Sequence, residues 1–497
     1  MERLYAEPAW RITSLLVSGD VSVEDYVGSI YERIEKLEDK INAYITLRPR
    51  ELVEAEARKA VEKARRGEKL PLAGVLVAVK DNIHVEGLPV TCGSRMLEKY
   101  VAPYDATVVS RLRAAGAVII GKTNMDEFAM GSTGENSAYG ATRNPWSLDR
   151  VPGGSSSGTA AALAAGMATL GLGSDTGGSI RMPCAWTGLY GVKPTYGLVS
   201  RYGLVAYADS LEQIGPMARN VRDLALLLET IAGFDPRDST SLPVEKVELL
   251  GAVEKGYGEG LRGLRVGVVE EFLEHEGVDE SVKKLVERAA ELLGEAEAVV
   301  EPVRLGREVL EYSLPAYYVV AMAEASSNLA RYDGVRYGPK EPPEPWESWN
   351  QYYSRIRGKY FGREVKLRIM LGAWMLSSGY KDQYYVRALK LRALVRRRLL
   401  QLLQAHDLLL APAVVTPPPR LGEVVEDPAK MYALDLATVT ANLAGIPAGT
   451  APVGYVDGVP LGVQLMARPL AEQTLIQGLA ALERLSGLHN LVAEPAT

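Results

Sequence analysis

The sequence predicts an α/β protein with a central, mixed but mostly parallel sheet and helices on both faces, and three observations predict it. The runs GVLVAVK (Gly74–Lys80) and AVIIG (Ala117–Gly121) are almost continuously apolar, as expected of strands buried on both faces. Between them Ala106–Ala115 has helical periodicity and stops at Gly116, so strand, helix and strand follow at the spacing of a right-handed crossover. The Ala- and Gly-rich stretch Ser156–Met167 then leads into another strand-like run, ATLGLGS (Ala168–Ser174). A helix of such small residues can press its backbone close to a neighbouring sheet. With 497 residues, 47% hydrophobic and 24% charged, the composition is that of an ordinary globular protein.

The remaining elements follow in order. Ser22 with Asp25 resembles a capping box, and Val23, Tyr26, Val27, Ile30, Ile34 and Leu37 then lie on one face of a 3.6-residue helix. A second, charged helix from about Glu51 to Arg66 ends at Gly67. Residues 1–70 are therefore read as an N-terminal helical segment packed on the core, and 71–497 as one domain. Within it, LRVGVV (Leu264–Val269) reads as a strand and Asp279–Leu293 as an amphipathic helix. Helical spacing dominates Glu308–His406, so about 240–405 is a helix-rich insertion, and its basic run RALVRRRLL reads as a solvated helix face rather than an RNA site. DLLLAP and GVQLM (Gly462–Met466) return to the sheet and complete it.

Composition excludes several classes. A net charge of −6 gives no whole-surface attraction to nucleic acid. No apolar run approaches the roughly 20 residues of a membrane span. MERLYAEPAW carries no signal-peptide core, so the expected location is cytoplasmic. Two cysteines, Cys92 and Cys184, make no disulfide framework, although one bridge between them stays open. His84, His275, His406 and His489 are scattered, and no metal site is expected.

Three segments carry the chemistry. AVKDNI leaves Lys80 at the end of a buried strand, PGGSSSGTAAA places Ser155 in a glycine-rich loop opening a helix, and GSDTGGSIRMP ends a glycine run on Ser179. Taken singly, each has a bland reading: a lysine snorkelling to water, a flexible loop, a tight turn or phosphate cradle. In this order, with separations of 75 and 24 residues, they are far more specific.

On these motifs the chain resembles the amidase signature family from about Leu72 to Met217, and again near the C-terminus. The resemblance implies a Ser-Ser-Lys set, with Lys80 as base, Ser155 as bridge after a cis peptide bond, and Ser179 as nucleophile. Such a set fits amide cleavage. A serine needs a base to take its proton as it attacks, and no histidine stands in these motifs. Burial would lower the lysine from its usual pKa of about 10.4. The N–H groups of Thr176, Gly177, Gly178 and Ser179 are implied as oxyanion donors, and Asp175 and Arg181 as an ion pair holding the turn. A Cys184 nucleophile is the nearest rival, but it would want a histidine or helix N-terminus that the sequence does not clearly offer.

Within the family, longer stretches resemble the glutaminase component of tRNA-dependent amidotransferases, their A subunit. They include Gly121–Trp146, Glu324–Gly338, Glu364–Gly372, Leu376–Tyr380 and Met431–Gly449. This implies an enzyme that feeds ammonia to misacylated Glu-tRNA(Gln) or Asp-tRNA(Asn) on a partner B subunit, with a small C subunit in the complex. Glutamine's carboxylate would meet Arg368, its ammonium Asp435, and Tyr317 would add a wall or hydrogen bond. No GxxxxGK[ST] motif is present, so no cofactor is expected on this chain, and ATP and magnesium are expected on the partner. The bridging loop departs from the usual GGSSGGS by placing Ser157 where glycine is common; the 24-residue spacing favours Ser155. The alternative is a stand-alone amidase for small or aryl amides.

Overall fold

The computed structural model describes residues 3–495. Eleven strands form one sheet: β1 (Tyr44–Leu47), β2 (Leu76–Lys80), β3 (Val118–Thr123), β4 (Leu170–Asp175), β5 (Tyr190–Lys193), β6 (Gln213–Ala218), β7 (Arg265–Val269), β8 (Val299–Val303), β9 (Leu408–Pro412), β10 (Ala448–Val456) and β11 (Val459–Ala467). Their spatial order is β1-β3-β2-β4-β6-β5-β10-β11-β9-β7-β8. β3-β2-β4 and β9-β7-β8 are parallel, the β2–β3 pair as the apolar runs and intervening helix foretold. The block from β4 through β6, β5, β10 and β11 to β9 is antiparallel, as is the β1 edge.

The α/β class and the mixed sheet are as expected, but the antiparallel share is larger than a mostly parallel sheet would have. The reason is that short or proline-bearing strands escaped the apolar-run criterion. β6 (QIGPMA) and β10 (AGTAPVGYV) each hold a proline, and β1 and β5 are only four residues long. β10 and β11 are joined by Asp457–Gly458, a two-residue turn with positive φ at both positions, the strongest short-range hairpin signal. β1 lies within residues 1–70, so that segment contributes an edge strand as well as helices. β7 and β8 likewise place sheet strands inside the 240–405 region.

Side chains along the strands alternate between two apolar layers. Leu408 and Leu410 of β9 join one layer, and Leu409 and Ala411 the other. The first layer takes the N-terminal helices, including Val23–Ile41, whose Ser22 accepts from Asp25 N–H, and helix Glu472–Ser486. The second takes Arg307–Asn328 and Arg387–Ala405. In the basic run, Arg392 and Arg396 donate to the carbonyls of Leu443 and Ala444. Helix Ser157–Ala164 is buried all round. A Cβ on Gly158 would come within 2.2 Å of the Ala43 carbonyl, so only glycine permits this approach.

Candidate active site

The sheet topology decides where the chemistry sits. β2 and β4 are parallel neighbours, so Lys80 and Asp175 emerge at the same, C-terminal edge, where open α/β sheets bind ligands. β6 runs antiparallel to β4 with Gln213 opposite Asp175, which brings Glu212 to that same edge.

Lys80 is fully buried, and its Nζ donates to Ser155 Oγ at 2.7 Å, Ser174 Oγ at 3.0 Å and the Ser174 carbonyl at 3.3 Å. Burial pulls its pKa down to about 8 against the opposing pull of Glu212, Asp126 and Asp175. The three adjacent serines have separate tasks. Only Ser155, reached through a cis Gly154–Ser155 bond, touches the lysine. Ser156 is tied to the backbone of Ser174, and Ser157 opens the helix and contacts Thr142. Ser179 lies on the turn after β4, anchored to the serine loop by Ser156 N–H donating to its carbonyl at 3.2 Å. Its hydroxyl makes no protein hydrogen bond among the described residues, so Lys80–Ser155 is the assembled contact and the Ser155–Ser179 link is not made in this conformation.

The Asp175–Ser179 turn is held by a buried ion pair. Asp175 accepts from Arg181 Nε and Nη2 and from Asn442 Nδ2, while Arg181 also reaches Gln464 and the Thr438 carbonyl. Burial would raise the Asp175 carboxyl, but Arg181 and Asn442 hold it down at about 2. Asp175 also accepts from Gly178 N–H at 2.9 Å. That donor, expected for an oxyanion, is thus engaged by the turn itself. The N–H groups of Thr176, Gly177 and Ser179 have no acceptor among the described residues. Tyr317 lies over the turn: a Cβ on Gly177 would fall 2.3 Å from its hydroxyl. Gly178 has φ +137°, and a Cβ there would meet Thr438 at 2.3 Å.

Arg368 and Asp435 come together around Tyr318. The Tyr318 hydroxyl donates to Asp435 Oδ2 at 2.6 Å, and Ser132 donates to Oδ1 at 2.8 Å. The Arg368 guanidinium lies 5.0–5.4 Å from the ring centres of Tyr207, Tyr318 and Tyr432. It donates to Glu364 at 2.6 Å and the Tyr207 hydroxyl at 3.0 Å, while its Nη2 is buried with no partner among the described residues. Burial pushes the Asp435 carboxyl up to about 6. An unsatisfied guanidinium nitrogen and a buried carboxylate on either side of Tyr318 suit a ligand bearing both an anion and a cation.

The sequence reading missed Ser174, Asn82, Glu212, Tyr207, Tyr318, Tyr432 and Ser132. Asn82, Ser174, Ser132 and Tyr432 stand inside the motif segments AVKDNI, GSDTGGSIRMP, Gly121–Trp146 and MYALD, which were the available signal; Glu212, Tyr207 and Tyr318 stand in no spaced pattern. Cys184 is fully buried, as is Cys92; both thiols are free, and burial pushes both thiol pKa values far up, the reverse of what a thiolate nucleophile needs. Among the described residues no group of three or more His, Cys, Asp and Glu could hold a metal ion, and no helix is long and apolar enough to cross a membrane.

Comparison with known proteins places the chain in a family. The amidase family model matches residues 25–476, and the chain belongs to that family. It is 49% identical over 478 residues to the A subunit of the glutamyl-tRNA(Gln) amidotransferase of Sulfurisphaera tokodaii, covering 96% of this chain and 98% of that protein. The crystal structure of the corresponding A subunit of the Thermotoga maritima glutamyl-tRNA(Gln) amidotransferase superposes with a TM-score of 0.80 at 37% identity, covering 99% of both chains. A bacterial aryl acylamidase of the amidase signature family superposes with a TM-score of 0.84 at 25% identity, again over 99% of both.

Proposed function

We propose that this chain is the glutamine-hydrolysing component of a tRNA-dependent amidotransferase. The observation that carries the substrate choice is the pairing of Arg368, with its unpartnered Nη2, and Asp435 around Tyr318. An aryl amide offers neither charge, so it would leave the Arg368 Nη2 without an acceptor and bring nothing cationic to Asp435. Glutamine's α-carboxylate satisfies the first and its α-ammonium the second, with Tyr317 bounding the path to the turn.

The proposed reaction starts from the Lys80–Ser155 contact and requires Ser179 to close onto Ser155 when glutamine binds. Neutral Lys80 accepts the Ser155 proton across the 2.7 Å contact as Ser155 takes the proton of Ser179. Ser179 attacks the side-chain amide carbon, and the oxyanion is met by free N–H groups at Thr176, Gly177 and Ser179. The proton returns through Ser155 to expel ammonia, and water hydrolyses the resulting acyl-enzyme to glutamate. The ammonia serves a partner B subunit, which binds the misacylated Glu-tRNA(Gln) or Asp-tRNA(Asn) and uses ATP and magnesium, with a small C subunit completing a cytoplasmic heterotrimer.

Ammonia release measured in the presence of the partner subunits tests this. Glutamine hydrolysis that rises with ATP and misacylated tRNA is expected. Rapid turnover of aryl amides by the chain alone, with no response to glutamine, would replace this reading with a stand-alone amidase.

A further inference from the structure

Behind Lys80, away from the serines, lies a second chain of polar groups that no step above uses. Lys80 Nζ and Asn82 Nδ2 both donate to Ser174 Oγ, each at 3.0 Å. Asn82 Nδ2 also reaches Glu212 Oε1 at 3.5 Å. The other oxygen, Oε2, accepts from Tyr207 N–H at 2.6 Å, and the Tyr207 hydroxyl in turn accepts from Arg368 at 3.0 Å. Glu212 is fully buried. A buried carboxylate is costly unless it is paired, so this one has a reason to be retained.

Resting on the reading of Lys80 as the base, we propose that Glu212 is the positioning residue of that base, its carboxylate holding Asn82 and Ser174 against Lys80 and, through Tyr207, tying the base to Arg368. The other carboxylates facing Lys80 are already committed elsewhere. Asp175 is held by Arg181 and Asn442, and Asp126 accepts from the N–H groups of Gly134 and Asn136. The remaining groups in the surroundings are the Cys92 thiol, which faces Lys80, and Arg201, which acts on Glu212. Burial pushes the Glu212 carboxyl up while the Lys80 ammonium opposes this. The same attraction keeps the Lys80 proton on more firmly than burial alone would. Glu212 therefore sets how much of the lysine is neutral at a given pH, and it links that setting to the residue assigned to the substrate carboxylate.

The test is the pH profile of kcat/KM for glutamine in the assembled amidotransferase, which reports ionisations of the free enzyme. The wild type is expected to lose activity as pH falls through about 8. Glu212→Gln removes the negative charge, so the midpoint should move down by about one pH unit, as for loss of a charge a few ångströms away. Its carbonyl oxygen can still accept from the Tyr207 N–H, so the shift in midpoint isolates the charge. Glu212→Asp keeps the charge and should keep the wild-type midpoint. Asn82→Leu cuts the link between Glu212 and Ser174 without touching Glu212 and should also move the midpoint, which keeps the test open if Glu212→Gln yields no folded complex. An unmoved midpoint in Glu212→Gln, or in Asn82→Leu where that variant alone folds, would overturn the proposal, since a merely structural carboxylate would lower the plateau alone. A wild-type profile with no ionisation near 8 would instead overturn Lys80 as the base.

Discussion

Arg368 and Asp435 show how much single side chains decide. The guanidinium is a planar fork held by Glu364, Tyr207 and three rings, with one nitrogen to spare. Lysine cannot reproduce that fork, so Arg368→Lys should weaken glutamine binding by about 10- to 100-fold, on the order of 1.4–3 kcal/mol. Calorimetry on a Ser179→Ala background, where substrate is not consumed, reads this directly. Asp435 gives a pH signature in the same assay. Its raised carboxyl protonates as pH falls through about 6, and the neutral form no longer attracts an ammonium. Glutamine affinity should therefore be full above that value and decline below it; affinity unchanged down to pH 5 would remove Asp435 from the site. Lys80 and Ser179 were legible in the sequence because fixed motifs surround them, and so was Ser155, which the lysine contact singles out from Ser156 and Ser157. Glu212, Tyr207 and Tyr318 were not, because their tasks come from strand register and helix packing across more than a hundred residues.

At the scale of elements, the turn between β4 and helix Arg181–Thr187 is the most constrained piece of backbone. Gly177 is compressed under Tyr317, and three of its neighbours' N–H groups are committed to Asp175. Gly177→Ala should push the added methyl into the tyrosine and displace an oxyanion donor. A fall in kcat of about a hundredfold or more is expected, together with a lower unfolding midpoint from the overpacking of about 1–3 kcal/mol. A variant with wild-type kcat would show that this backbone is not the oxyanion site. Strands were legible where the chain is buried on both faces, as in β2, β3, β4, β7 and β9. They were hidden where Pro216, Pro302 and Pro452 interrupt the pattern, and in the four-residue runs β1 and β5.

At the scale of the whole molecule, the site is assembled from both ends of the chain. Lys80 and the serines come from the first half, while Asn442, Gln464 and Thr438 reach back to Arg181 and the nucleophile turn. Arg181→Met would leave Asp175 buried without its cation, at a cost of about 3–5 kcal/mol, and should lower both the unfolding midpoint and activity. Unfolding indistinguishable from the wild type would mean that Thr438, Asn442 and Gln464 do not brace the turn through Arg181. The family match likewise spans residues 25–476 rather than the motifs alone. The central claim is that Ser179 releases ammonia from glutamine for use on a partner protein. The direct measurement is tRNA transamidation by the assembled complex carrying Ser179→Ala, with glutamine or free ammonium as nitrogen donor. Loss of the reaction with glutamine and its retention with ammonium is predicted; undiminished reaction with glutamine would contradict the account.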